Sequence, residues 1–323
     1  GGLRMTESSG SATPLFAWAL LGVALLAVSS AGVVLQAMSE VPPLLRASWR
    51  MQGTALILLP GFVYQFRAMG SGGVSTRDWQ IILASSVFLA IHFGAWVWSL
   101  DHTSLVHSLL FVSMHPLVLV LIMPVIGSAV RRGHLTGVMV GIVGALLSLG
   151  DVEAGGEVTV LGDAAAFLGA ITVVGYLLAG RHLRSERRMP IFVYAFPVTF
   201  AAGIWLALAA ISQEGASMAD AVPEISLLGW ADAVWLPWIA YLSLGPGLCG
   251  HTGINAVLRW IPPITVSIIL LFEPVIGGII GWLWTGEATL GMWTVLGGPL
   301  MLTGAIMVTL EEERGGRDRD AVS

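Results

Sequence analysis

The chain has 323 residues, no lysine, a single cysteine and few charges of either sign, with 11% of positions Asp, Glu, Lys or Arg. Soluble domains carry roughly a quarter charged residues, so this composition excludes an ordinary water-facing globule. One cysteine, Cys249, excludes an intramolecular disulfide and a cysteine-based metal cage, and it reads as a small buried hydrophobe. All 15 basic residues are arginine and the net charge is −5. No basic cluster suits a phosphate backbone, so nucleic acid is not an expected partner. The one dense stretch, "RHLRSERR" (181–188), reads as a topological signal. Enzyme signatures are missing as well. There is no Walker A, GxSxG or HExxH motif, and no pair of carboxylates within one apolar run. Neither catalysis nor a nucleotide-driven pump is expected, and no cofactor is implied.

Apolar residues make up 56% of the chain and mean hydropathy is +0.84, the composition of a polytopic membrane protein. Ten apolar runs are long enough to cross a bilayer: 15–37, 44–66, 79–100, 104–127, 134–150, 160–180, 191–212, 233–255, 263–284 and 289–310. The first run is longer than a signal-peptide core and reads as a retained span. Residues 1–14 and 311–323 are left as tails; residues 1–4 precede a methionine and enter no argument.

Arginine sets the orientation. With both termini in the cytoplasm, Arg67, Arg77, Arg131, Arg132, Arg181, Arg184, Arg187, Arg188, Arg259 and the C-terminal arginines all fall inside. Only Arg46 and Arg50 fall toward the other side. The opposite connections carry the acids Glu40, Asp101, Asp151, Glu153, Glu157, Glu214, Asp220, Glu224 and Asp232. A multi-pass protein of the cell membrane with cytoplasmic ends follows.

The two halves repeat. "LLFVSMHPLVLVLIMPVIG" (109–127) precedes "GVMVGIVGALLSLG" (137–150), and "SIILLFEPVIGGIIG" (267–281) precedes "VLGGPLMLTGAIMVTL" (295–310). Each half sets a polar residue before a proline, His115-Pro116 and Glu273-Pro274. Each ends on glycines seven apart, Gly137/Gly144 and Gly297/Gly304. Five spans is an odd number, so the second half lies upside down relative to the first. The expected fold is all-α, with ten transmembrane helices in two inverted five-helix repeats, the architecture of secondary transporters with a midplane site.

These stretches, with "VPPLLRASWR" (41–50), "HTSLVHSLLFVSMHP" (102–116) and "IPPITVSIILLFEPVIGGIIGWLWTGE" (261–287), resemble the EamA-type branch of the drug/metabolite transporter superfamily. The likeness runs as two units, 15–150 and 160–310. The first departs from it at "AVRRGHL" (129–135), where such units often carry a glutamate like Glu287, and at His115, where a small or polar residue is usual. The resemblance implies a secondary transporter of a small organic metabolite such as an amino acid, working by alternating access, with export favoured. The lipid bilayer is then a partner, protons are a candidate co-substrate, and a homodimer is compatible with it. The rival reading is a lipid-handling or regulatory membrane protein without a solute cycle. A lateral opening lined by apolar side chains would favour that rival; a polar midplane pocket would favour the transporter.

Five residues are the expected substrate site: His92, Trp96, His115, Glu273 and Arg50. Glu273 shares a helix face with Gly277 and Gly281. It is either a protonatable coupling site or a structural acid that fixes a helix end beside Pro274. Arg50 either anchors a carboxylate through paired donors or snorkels to the headgroups. His92, Trp96 and Ser99 form one stripe, and His107, Phe111 and His115 another; imidazoles there can accept protons or bind anions, or simply bond to main-chain carbonyls. The histidine spacings match no metal-ligand pattern. Gln36, Gln52, Asn255 and Tyr176 read as helix glue. Trp18, Trp49, Trp79, Trp230, Trp260 and Trp293 read as an interfacial belt, and "LGPGLCGH" (244–251) as a kink or hinge.

Overall fold

Hydrogen-bonding need turns each apolar run into a helix, because main-chain donors in a bilayer have no water to satisfy them. The computed structural model describes residues 14–153, 156–250, 253–254, 257, 260–261, 263–286 and 290–320; Arg4, His251, Asn255, Arg259 and Glu287 lie outside them. Among the described residues there is no β-strand, only one isolated bridge between Ser217 and Ser226. The helices are α1 (Leu15–Ala37), α2 (Pro43–Ala68), α3 (Thr76–Leu100), α4 (Leu105–Val112), α5 (His115–Ile122), α6 (Arg132–Ser148), α7 (Val160–Arg181) and α8 (Ile191–Glu214). Then follow α9 (Leu236–Leu242), continued by wide π turns over Ser243–Gly250, α10 (Pro263–Leu270), α11 (Glu273–Thr285) and α12 (Met292–Asp320). Helices α4 and α5 together form the fourth span, α10 and α11 the ninth. The ten expected spans are therefore helical over most of their described residues.

Among the described residues, eight stretches are long and apolar enough to cross a membrane by length and composition alone. The two others are the second and eighth spans. The second is diluted by the polar residues Arg46, Ser48, Arg50 and Gln52, and the eighth is interrupted by π turns around Pro246. Cys249, expected to be buried, is exposed on those turns.

Caps begin several helices where the sequence offers them. Ser75, Ser104 and Thr159 accept the amides of Asp78, His107 and Gly162. Two caps are long-range and reciprocal. Glu214, at the end of α8, accepts the Leu44 and Leu45 amides at the start of α2, at 2.7 and 2.9 Å. Gln65, near the end of α2, accepts the Phe192 amide at the start of α8 at 2.8 Å. These two helices lie antiparallel and each closes the other's first turn.

The same exchange governs the whole bundle. The second span packs on the seventh, the fourth on the ninth and the fifth on the tenth. The third packs on the sixth and seventh, as the eighth packs on the first and second. Every such pairing maps onto itself or another when five is added to each span number, which is the signature of an inverted repeat. The fifth and tenth spans meet along glycine. A Cβ on Gly137 or Gly144 would strike the main chain of Gly304 or Gly297, and the reverse holds too, so these backbones touch as in small-residue membrane packing. One end of the bundle, called here the far end, gathers the connections 38–42, 101–104, 149–153 with 156–159, and 215–235, tied by Arg46–Asp101 and Thr103–Asp163 contacts. The near end holds Asp78–Arg187 and His134–Glu312 and the last turns of α12.

Gly144→Leu is expected to destabilise the protein by about 2 kcal/mol, because its Cβ would lie 2.5 Å from the Met301 amide nitrogen. Gly22→Ala, with nothing within 4 Å, is the matched control and leaves stability equal or slightly higher. Thermal unfolding in detergent, followed by size-exclusion fluorescence, reads both.

Candidate functional site

Proline breaks the fourth and ninth spans at equivalent places, since it lacks an amide donor and crowds the carbonyl a turn earlier. In "SMHP" the Met114 amide bonds to Phe111 O, and Leu117 and Val118 both bond to Met114 O. In "LFEP" the Phe272 amide bonds to Ile269 O, and Val275 and Ile276 both bond to Phe272 O. The residues before the two breaks adopt nearly the same backbone, Met114 at φ −78°, ψ 9° and Phe272 at φ −83°, ψ 1°. His115 and Glu273 are thus the first residues of half-helices that start inside the bundle. Such starts expose free amides and the positive end of the peptide dipoles. Gly277 and Gly281, on the Glu273 face, admit the fourth and first spans: Gly277 lies against Leu109 and Ser29 O, Gly281 against Leu105 and Val33.

Arg50 comes to the same region from α2. It is 5% exposed, so it does not snorkel. Its guanidinium carbon stands 4.6 Å from the Phe93 ring centre and 5.8 Å from that of Trp96, a contact worth about 2 kcal/mol when desolvated. His92, four residues before Trp96, lies nearly parallel to its ring at 6.4 Å and bonds through Nδ1 to Gly169 O at 2.8 Å. Arg50 acts electrostatically on Glu273 and on His92, and His115 acts on His92. No ion pair joins Arg50 to Glu273. Arg50 Nε and Nη1 and Trp96 Nε1 are buried with no hydrogen-bond partner. The structure therefore brings together Arg50, His92, Trp96, His115 and Glu273, with His92, His115 and Glu273 half-buried.

Phe93 was missed by the sequence reading; its position one residue after His92 carried no signal beyond core packing. The expected His107–Phe111–His115 stripe is cut by the break at 113–114. His107 instead belongs to a buried set at the far end, with Asp163, Thr103, Thr294 and Asp151. Among the described residues no three His, Cys, Asp or Glu side chains gather as a metal cage. Two of the supposed belt tryptophans are internal. Trp49 is fully buried and donates to Ser226 O, and Trp230 donates to Gln52. Both pin the 215–235 connection over α2. Trp18, Trp79 and Trp293 are exposed as a belt requires. Gln36 donates to Leu100 O and Gln52 to Leu227 O, the glue roles expected.

A second feature lies beside the polar cluster. A groove of about 670 Å³ runs between the first, fourth, ninth and tenth spans, lined by Val106, Leu110, Ile279, Trp282 and Leu302. It reaches Pro274 at its inner limit and Gln36, Glu157 and Thr294 at its far-end limit.

Residues 160–310 match the model of the EamA-like transporter family. No curated protein sequence matches the chain. A protein crystal structure of 20% identity superposes with a TM-score of 0.57 over 93% of this chain and 98% of its own; at that identity the likeness concerns the fold alone.

The unpartnered guanidinium makes a stability prediction. Arg50→Leu combined with Glu273→Gln is expected to leave the thermal midpoint of the ligand-free protein equal or higher, because it removes the desolvated charge together with the acid it balances. Arg46→Leu is expected to cost about 2 kcal/mol, because it strands Asp101, now held at 2.5 Å. Denaturation of the two variants side by side checks the contrast.

Proposed function

We propose that this chain, whose residues 160–310 match the model of the EamA-like transporter family, part of the drug/metabolite transporter superfamily, is a secondary transporter of a small organic metabolite bearing a carboxylate, such as an amino acid. The observation that carries the reading is Arg50, buried with two donor nitrogens unpartnered amid aromatic rings. A carboxylate supplies two acceptors that match a guanidinium edge. The half-helix starts at His115 and Glu273 favour negative charge nearby, and Trp96 and Phe93 offer rings to an apolar portion of the solute.

Glu273 supplies the coupling. While the site is empty, Arg50 compensates the Glu273 carboxylate across the cluster. A bound solute carboxylate takes over Arg50, and Glu273 then carries either a proton or the cationic group of the solute. Inverted halves rocking about this centre give alternating access. Both termini are cytoplasmic in this reading. The two arginines that ran against the charge rule, Arg46 and Arg50, are buried and leave the arginines of the connections on one side.

The lateral groove favours a second reading, lipid handling. It follows α11 from Pro274 to Thr285, about 16 Å at 1.5 Å per residue, and one leaflet's hydrocarbon is about 15 Å deep. Gly278 faces Val106 along this groove, its Cβ position 3.2 Å from Cγ2.

Glu273→Gln in proteoliposomes is expected to abolish solute flux or separate it from proton movement, and full proton-coupled flux would dismiss the coupling role. In a thermal-shift screen, carboxylate-bearing metabolites raise the midpoint, by an amount corresponding to about 2.7 kcal/mol at a hundredfold excess over Kd, and Arg50→Leu loses that response. Gly278→Phe discriminates the two readings: it fills the groove and spares solute flux if the polar cluster is the site, but ends activity if the groove holds the cargo.

A further inference from the structure

Outside the central cluster, the most complete set of buried titratable groups among the described residues lies at the far end, and its donors and acceptors can be paired one by one. Asp151 Oδ2 accepts the Thr294 amide at 2.6 Å and the Thr294 hydroxyl at 2.5 Å, and Oδ1 accepts the Trp293 amide at 3.2 Å. Two amides and a hydroxyl directed at Asp151 favour its ionised form. The Thr294 hydroxyl has one hydrogen and spends it on Asp151. Its contact with His107 Nε2, at 2.6 Å, therefore requires Nε2 to be the donor.

On the other side of the ring, His107 Nδ1 faces Asp163 Oδ2 at 2.9 Å, and Asp163 Oδ1 accepts the Thr103 hydroxyl at 2.7 Å. A neutral imidazole protonated on Nε2 presents a lone pair at Nδ1, and an ionised Asp163 presents another. That contact is repulsive unless one more proton sits between them. His107 and Asp163 are 1% and 2% exposed, so water cannot step in to relieve it.

We propose that His107 and Asp163 form a proton-binding site, with the proton itself as ligand, and that the far-end bridge between the two repeats exists only while this proton is bound. The bridge joins α4 of the first repeat to α7 and α12 of the second. The charged neighbours on each packed element are accounted for. Asp163 comes from α7, and Asp151, after α6, acts through Thr294 of α12. Asp101, after α3, is taken by Arg46, and His102 turns its ring onto Trp98. The first and ninth spans face α4 with Gly32, Gly277 and Gly281. Glu157 lies farther out, at the groove limit with Thr294. Half-buried Asp151 connects the bridge to the surface and gives the proton its path.

With the proton bound, the fourth span is fastened to the sixth and tenth and the far end stays shut. Loss of the proton sets a lone pair against a carboxylate and frees the fourth span to move. This inference stands apart from the solute-binding reading, and its test uses no solute.

Hydrogen exchange of the full-length protein in detergent micelles, corrected for the intrinsic pH dependence, is followed at residues 103–109 and 159–166 from mildly acidic to mildly alkaline pH. Wild-type protection is expected to fall about tenfold as pH rises, the weight of one charge-assisted hydrogen bond. Asp163→Asn can donate its amide to Nδ1 and accept from Thr103 without any proton, so its protection is expected to stay flat. His107→Phe removes the bridge and is expected to exchange fast at every pH. A wild type without the pH dependence, or an Asp163→Asn variant that repeats it, overturns the proposal. Should Asp163→Asn fail to fold, pH-dependent protection in His107→Phe overturns it equally.

Discussion

A guanidinium in the interior of a bilayer-spanning bundle has to be compensated, and the centre of this protein is organised around that demand. Arg50 is shielded by Phe93 and Trp96 and balanced by Glu273 across the cluster, yet two of its nitrogens are left without acceptors. Desolvation of such a group costs several kcal/mol unless partners restore what water supplied. The two half-helix starts and the neighbouring imidazoles share that polar centre.

The inverted repeat explains how one chain builds this centre economically. The same turn serves twice, at "SMHP" and "LFEP", and reciprocal caps by Glu214 and Gln65 close α2 and α8. Glycine pairs let the fifth and tenth spans touch backbone to backbone. Against that shared frame the differences carry the chemistry. The first repeat places a histidine where the second places an acid, and α2 brings an arginine inward while α8 has none. The centre is therefore electrically polar across an approximate two-fold.

The far end uses charge differently. Arg46 is held by Asp101 and Leu35 O, and the tryptophans Trp49 and Trp230 anchor the 215–235 connection over α2. The His107 set fastens the fourth span to the sixth and tenth. The near end shows no comparable buried set among the described residues; its pairs, Asp78–Arg187 and His134–Glu312, each include a partly or well exposed partner. Buried charged ties between spans are therefore concentrated at one end of the bundle among the described residues.

The sequence by itself determined the membrane class, the number of spans, their alternation and the doubled motif, because those follow from apolar length, odd span count and the placement of proline and glycine. It also pointed to Arg50, His92, Trp96, His115 and Glu273, since a polar residue in an apolar run is costly wherever it sits. What one helix faces was not legible. Trp49 read as a headgroup anchor and is buried, Cys249 read as buried and is exposed, and Arg50 read as evenly poised between lipid and core. Asp163 lay in plain view in the sixth run, but its meaning depends on His107, 56 positions earlier, and on Thr294 from the last span. Local spacing sets which side chains share a face; only the packing of distant spans decides which of those faces meet, because in lipid there is no hydrophobic gradient between helices to announce it.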